Sequence, residues 1–312
     1  MTRIICGVDV SSIHLDARIG PNGPAGRFAN TPDGIAALAA FCQAHRVELV
    51  ALEATGGYER QPFALLWAAG LPCALLNPRS VRRFAEAMGV LEKTDRLDAG
   101  LIAWFAAVKR VVPQAPARAE QARLAALVAR LRQLTALRVA QLNQRRLVTE
   151  PDVLAAIDEM TALATRQMRS LEAKIAALID ADPLWRTLDR ALRALKGVAG
   201  RTVARLMAEM PEIGTLSGKA AAKLAGLAPI ARDSGQRNGK RSVRGGRAGV
   251  RSILFVVAEV ARRFDPELAA FQARLRQAGK PKKVIRVALA HKLLVRLNAK
   301  ARDARQNLAM PA

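Results

Sequence analysis

The chain has 312 residues, 51% of them apolar and 24% charged, which is long enough for about two domains and too apolar for a disordered protein. Its 50 Lys and Arg against 26 Asp and Glu leave a net charge of +24, which points to a polyanionic partner, nucleic acid foremost. No apolar run reaches the roughly 18 residues that span a bilayer, and Asp9 stands where a signal peptide would be apolar, so the expectation is a soluble, cytoplasmic protein with no membrane partner.

The opening "RIICGVDVSSIHLDARIG" reads as two short strands around a polar turn, and "GRFAN" as a third. "TPDGIAALAAFCQAH" has a cap, a Pro near its first turn and helical apolar spacing. "VELVALEA" then reads as a buried strand, followed by a helix near 60 to 69, the strand "LPCALLNP" and a further helix. This order predicts an α/β domain with a mixed sheet over residues 1–110. "VLEKTDRLDAGLIAWFA" has helical spacing, with Thr94 available as a cap and Asp95 and Asp98 three residues apart beside Lys93 and Arg96.

"VVPQAPA" is a break, after which residues 111–195 have few Gly or Pro and repeat apolar residues at helical spacing. They predict long amphipathic helices, as an antiparallel hairpin or coiled coil serving as spacer or oligomerisation segment. Residues 190–312 hold 27 basic and 7 acidic residues, so nearly all of the charge imbalance lies in the last third. Residues 196–312 therefore predict a basic, mainly α-helical domain. Within it "LKGVAGRTVARLMAEM" has the pattern of a helix-hairpin-helix, in which Gly197, Gly200 and Arg201 could hold a phosphate at a helix start. The Gly-rich loop that follows brings Arg237, Lys240, Arg241, Arg244, Arg247 and Arg251 together without an intervening acid, as phosphate neutralisation requires. "GKRS" at Gly239 lacks the glycine and the hydroxyl of a nucleotide-binding loop, so an ATPase is not expected. Aromatics are 4% of the chain, so nucleic acid should be held through phosphate, sugar and shape.

Cys6, Cys42 and Cys73 sit in apolar segments without C-x-x-C spacing and read as reduced core thiols. His14, His45 and His291 are too scattered for a zinc finger or a histidine base. The acids are more informative. Asp9 and Glu53 each lie in an apolar strand, where an unneutralised carboxylate is costly. If the two strands are neighbours, both acids leave one end of the sheet, and a helix carrying Asp95 and Asp98 on one face can close over them. Four carboxylates in an oxygen-rich site fit two Mg²⁺ ions acting on a phosphodiester.

"GVDVS", "LEATGGYE" and "KTDRLDAGLIA", in that order, resemble the N-terminal domain of the DEDD insertion-sequence transposases, whose fold is RuvC-like, that of the Holliday-junction resolvases in the ribonuclease H-like group. "LKGVAGRTVARLMAEM" and "KLAGLAPIARDSG" through "GGRAGVRSIL" resemble that family's C-terminal transposase domain. The resemblance implies that Asp9, Glu53, Asp95 and Asp98 form the catalytic, metal-holding tetrad and that Ser234 attacks the DNA backbone. It further implies a homo-oligomer, in which the acids of one protomer work with the serine of another, and a structured non-coding RNA of the bridge type that selects the DNA sites. Recombination holds four strand ends at once, so a dimer is expected, and a tetramer on paired DNA sites. From the residues alone Ser234 is also readable as a turn residue beside Gly235, and Ser242 and Ser252 compete with it. The alternatives to an RNA-guided transposase are a junction-resolving or other Mg²⁺-dependent nuclease, a site-specific invertase, and a non-catalytic nucleic-acid-binding protein.

Overall fold

The computed structural model describes residues 3–90, 95–231, 233–235, 239 and 241–309, with the backbone alone at 95–97. The chain divides into two compact units, Met1–Ala117 and Arg118–Ala312.

In the first unit the elements follow the order β1 (Ile5–Val10), β2 (His14–Ile19), β3 (Ala25–Ala29), α1 (Pro32–Ala44), β4 (Leu49–Glu53), α2 (Arg60–Ala68), β5 (Cys73–Leu76), α3 (Pro78–Ala87) and α4 (Asp95–Val108). The five strands form one mixed sheet in the order β3-β2-β1-β4-β5, with β1, β4 and β5 parallel and β2 antiparallel to both of its neighbours. Apolar alternation sorts the side chains. Cys6, Val8, Val50 and Leu52 point to one face, under α1 and α2, while Ile5, Leu49, Ala51 and Leu76 point to the other, under α3 and α4. Thr31 caps α1 by accepting from Gly34 N at 3.3 Å, with Pro32 in the first turn where its missing N–H costs nothing. The expected boundary near residue 110 falls a few residues short. Arg3 Nη1 donates to Val111 O at 3.0 Å and Gln114 N to Cys73 O at 2.8 Å, which ties the tail to the sheet.

Cys6, Cys42 and Cys73 are buried and free. Burial pushes the Cys73 thiol up to about 12, and contact with Cys42 together with burial raises Cys6 as well. They pack as small apolar side chains, as their sequence setting predicts.

Among the described residues the second unit is helical apart from one small hairpin: α5 (Ala119–Arg145), α6 (Pro151–Ala181), α7 (Pro183–Arg193), α8 (Gly200–Glu209), α9 (Gly218–Leu224), β6 (Pro229–Ile230), β7 (Ser242–Val243), α10 (Ala248–Ala261), α11 (Pro266–Gln277) and α12 (Lys282–Ala309). α5 and α6 lie along one another as a hairpin, and Arg145 joins Asp158 at 2.7 Å near its turn. The buried residues of α6, Ile157, Ala164, Met168, Ile175 and Ile179, recur at sevens and fours, the spacing that keeps one helix stripe on a partner. This hairpin shares a core with everything after it. Leu124 and Val128 of α5 belong to the same buried cluster as Leu254 of α10 and Leu297 of α12, so no break in packing falls at residue 195. Among the described residues no helix is long and apolar enough to cross a membrane.

Candidate active site and nucleic-acid surface

Asp9 is the fifth residue of β1 and Glu53 the last of β4, and the parallel register pairs Val8 with Leu52, so the two acids stand next in register at the same end of the sheet. Side chains alternate along a strand, which puts both acids on the face that carries Ile5, Leu49 and Ala51, beneath α3 and α4. Both are half-buried. α4 comes down on β1 at Gly7. A Cβ there would lie 2.0 Å from Ala99 O and 2.5 Å from Ala103 N, so only glycine lets the helix backbone lie on the strand. Small residues on the helix complete the fit, with Ala99, Ala103 and Ala106 all buried. Asp98, immediately before Ala99, is thereby held over the sheet end that bears Asp9 and Glu53.

A cavity of about 520 Å³ opens there, lined by Glu53 and Asp98 together with Arg79, Arg82, Arg83 and Glu86 of α3. The turn leaving Glu53 is rigidly built: the Glu59 carboxylate accepts from Thr55 N at 3.0 Å and Gly57 N at 2.8 Å, around two glycines of positive φ, Gly56 and Gly57. On the other side of Asp9, the antiparallel register sets Asp16 opposite it, and Arg27 holds Asp16 through bonds of 2.8 and 3.1 Å. That guanidinium offsets what would be a like-charged cross-strand pair. Asp95 begins α4 one turn before Asp98; its side chain lies outside the described residues, as do Lys93 and Thr94. Among the described residues no three metal-ligating side chains form a group.

The arginines of α3 were not singled out from the sequence, although "NPRSVRRF" places three of them just ahead of the acidic helix. The missing information was which helix lands beside Asp98.

In the second unit Ser234 is exposed in the loop of the β6–β7 hairpin, next to Gly235, whose φ is +53°. Asp233 and Arg241 join across this loop at 3.4 Å, flanking the serine. Ser242 lies on β7 opposite Ile230, and Ser252 on α10, where it donates to Gly249 O at 3.3 Å. Arg237 and Lys240 lie outside the described residues. Arg244 is exposed. Arg247 and Arg251 serve the fold. Arg247 holds Glu212 through two bonds of 2.6 Å and donates to Glu209 O at 3.0 Å, and Arg251 donates to Gly245 O at 2.6 Å. Burial pushes the Glu212 carboxyl up, but the hydrogen bonds and charge of Arg247, together with a backbone hydrogen bond, outweigh it and hold the group below its usual range.

Gly197 and Gly200 have separate physical reasons. Gly197 adopts φ +87°, and a Cβ on it would lie 2.7 Å from Ala261 Cα, so this turn is pressed against α10. Gly200 opens α8 into free space, beside a cavity of about 260 Å³ lined by Glu172, Asp180 and Asp189 against Arg193 and Arg201. Arg201 pairs with Glu172. The charges lining that cavity favour acids by one, so the helix start offers a phosphate less than its glycines suggest.

Carboxylates ending adjacent parallel strands beneath a close-packed helix, on a mixed sheet followed by a basic helical unit, are consistent with a RuvC-like nucleic-acid enzyme. Residues 6–148 match the family model of IS110-type DEDD transposases, and residues 189–273 match one described as "Transposase IS116/IS110/IS902 family". The chain belongs to this family of DEDD transposases, and is an enzyme that acts on DNA by recombination or transposition. It is 26% identical over 313 residues to the "Pilin gene-inverting protein" of Moraxella lacunata and, to the same extent, to that of Moraxella bovis, covering 94% of each chain compared. It is 34% identical over 140 residues to "Insertion element IS110 uncharacterized 43.6 kDa protein" of Streptomyces coelicolor, a match covering 44% of this chain and 33% of that one. DEDD transposases typically use divalent metal ions.

Proposed function

We propose that this transposase holds two Mg²⁺ ions with Asp9, Glu53, Asp95 and Asp98 and uses Ser234 as its nucleophile. A structured non-coding RNA of the bridge type directs it to its DNA sites. The observation that carries the reading is the packing at Gly7, which sets Asp98 over the neighbouring carboxylates Asp9 and Glu53. Every donor in the set is an oxygen. Mg²⁺ suits such a set, because one or two carboxylates hold it while water and substrate phosphate fill its other positions. A gathering of three protein ligands among the described residues is therefore not required. Bound there, the metal would supply charge stabilisation on the phosphodiester oxygens and ease loss of the nucleophile's proton.

Ser234 conserves the energy of the broken bond. Its Oγ attacks phosphorus and releases its proton to solvent, the P–O bond to the leaving sugar oxygen breaks, and that oxygen takes up a proton. A hydroxyl of the second DNA strand later reverses these steps on the phosphoserine ester. Exposure of Ser234 on a hairpin loop suits this role, with Arg237, Lys240, Arg241 and Arg244 neutralising nearby phosphate. The acids lie in one compact unit and the serine in the other, so we assign catalysis to a homo-oligomer, a dimer that becomes a tetramer on paired DNA sites. Leu147, 88% exposed at the turn of the α5–α6 hairpin, and the exposed Val139, Val153 and Met160 support a coiled-coil contact between protomers there.

The test combines the purified protein, Mg²⁺, the RNA and DNA carrying both recombination sites. Wild type should exchange strands and leave a protein–DNA adduct on a denaturing gel. Asp98→Asn should give neither, and Ser234→Ala should bind DNA without forming the adduct. An adduct that survives Ser234→Ala refutes the nucleophile, and hydrolysis without exchange favours a nuclease. Site-specific inversion is a second reading, favoured by the near full-length match to the two Moraxella proteins. It gives inverted product when the two sites lie head to head on one circle.

A further inference from the structure

The cavity in front of Glu53 and Asp98 has a second wall, made by α3. Asn77 caps this helix, its Oδ1 accepting from Arg79 N at 2.9 Å, and Pro78 occupies the first turn. Val81 and Ala85 are buried toward the sheet, and Phe84 packs edge-on against Trp104 and Phe105 of α4 at 5.1 and 5.5 Å. At about 100° per residue the opposite face carries Arg79, Arg82, Arg83 and Glu86, and these four line the cavity. Arg82 is half-buried and lies 3.5 Å from Glu86, whereas Arg79 and Arg83 are exposed. Those two stand one turn apart, roughly 6 Å along the axis. An exposed pair of arginines beside catalytic acids contributes nothing to the core, so packing does not explain it. A guanidinium matches a phosphate by two parallel hydrogen bonds, and two on one helix ridge can follow successive phosphates of one strand.

We infer that Arg79 and Arg83 grip the DNA backbone phosphates that flank the scissile one, setting the strand across the carboxylates. The inference rests on the reading of Glu53 and Asp98 as the cleavage site. The contact is independent of base sequence, so it positions whatever strand has been selected elsewhere.

A thermodynamic cycle tests it. Single methylphosphonate linkages, which remove one phosphate charge each, are walked along the target duplex, and equilibrium binding is measured for the full-length wild type and for Arg79→Gln/Arg83→Gln. At one or two adjacent linkages beside the cut, the neutral linkage should weaken wild type about tenfold and leave the double variant unchanged. The variant should also show a shallower dependence of log K on log salt, by ~0.9 per lost phosphate contact. Effects that add at every linkage overturn the inference, as does coupling that appears only at linkages remote from the cut. Binding does not depend on turnover, so a wild type that makes no cut would sink the catalytic reading, while the cycle would still decide the arginines. Both substitutions are at exposed positions, and an unchanged melting temperature confirms that each variant is folded.

Discussion

Replacing Gly7 by alanine is the sharpest perturbation the first unit offers, because one methyl group acts on catalysis through packing alone. The new Cβ would stand 2.0 Å from Ala99 O, and carbon atoms of this kind essentially never approach within 3.0 Å, so α4 must withdraw by about 1 Å. Both crowded atoms are backbone, and no rotamer change can relieve them. Overpacking of this kind costs about 1–3 kcal/mol, which for a unit near this size lowers its melting temperature by roughly 4–20 °C. The larger effect falls on function. Asp98 is the residue before Ala99 and travels with it, and a displacement of ~1 Å in a reacting geometry can cost on the order of 10²-fold in rate. Cleavage of DNA should be measured well below the variant's melting temperature, beside Ile35→Val. Ile35 is buried on the opposite face, and its change should cost about 0.5–1.5 kcal/mol without moving α4. Gly7→Ala should lose about a hundredfold in rate where Ile35→Val stays near wild type. A Gly7→Ala protein that melts lower yet cleaves normally would refute the placement of Asp98.

The Glu212 carboxyl is depressed in the folded state, so its contribution to stability is complete above its unfolded value of about 4.3 and is lost as pH falls through the lower folded value. Thermal melts should therefore show wild type ahead of Glu212→Gln at pH 6 and the gap closing toward pH 3; a constant gap would mean that the Arg247 pair is not its source. Arg247→Gln should destabilise by about 1 kcal/mol, the pair being more than a third exposed and so partly screened, while leaving the salt dependence of DNA binding intact. Arg244→Gln should do the reverse, and exchanged outcomes would contradict the division between structural and DNA-facing arginines.

The sheet was legible because its signals are local. Short continuous apolar runs mark β1, β4 and β5, the Thr31 cap and Pro32 mark the start of α1, and acids in apolar strands stand out against their neighbours. That Asp9 and Glu53 share an edge required β1 and β4 to be neighbours, which parallel α/β connectivity favours and their register bears out. What stayed hidden depends on contacts distant in sequence. Gly7 reads as an unremarkable strand residue until α4 is seen to lie on it. The arginines of α3 acquire meaning only once that helix lies beside Asp98. Strands of two residues, β6 and β7, are too short to carry any period, so a hairpin read as a loop. The partners of Arg201 and Arg247 lie 29 and 35 residues away, beyond any helical spacing. The apolar stripes of α5 and α6 left a spacer and an oligomerisation segment equally open, because amphipathic spacing does not say which partner covers the stripe. Here the cover is partly the core of the basic segment itself.

That distinction bears on how the charge of the last third is used. Residues 190–312 contain 7 acids, and six of them, Glu209, Glu212, Asp233, Glu259, Asp265 and Glu267, lie within 4.0 Å of an arginine. The acids are thus largely committed to holding helices together: Asp265, which caps α11 through Leu268 N, takes a 2.6 Å bond from Arg296 of α12. With 27 basic residues in the same stretch, most cations have no acid within it to meet. Lys280, Lys282, Lys283 and Arg286, in "GKPKKVIR", are exposed, as is Arg244. Exposed charges feel salt more strongly than half-buried pairs do. The surplus available for a phosphate backbone and the pairs that secure the fold therefore respond to different conditions, and salt should release nucleic acid bound to this unit while the unit remains folded.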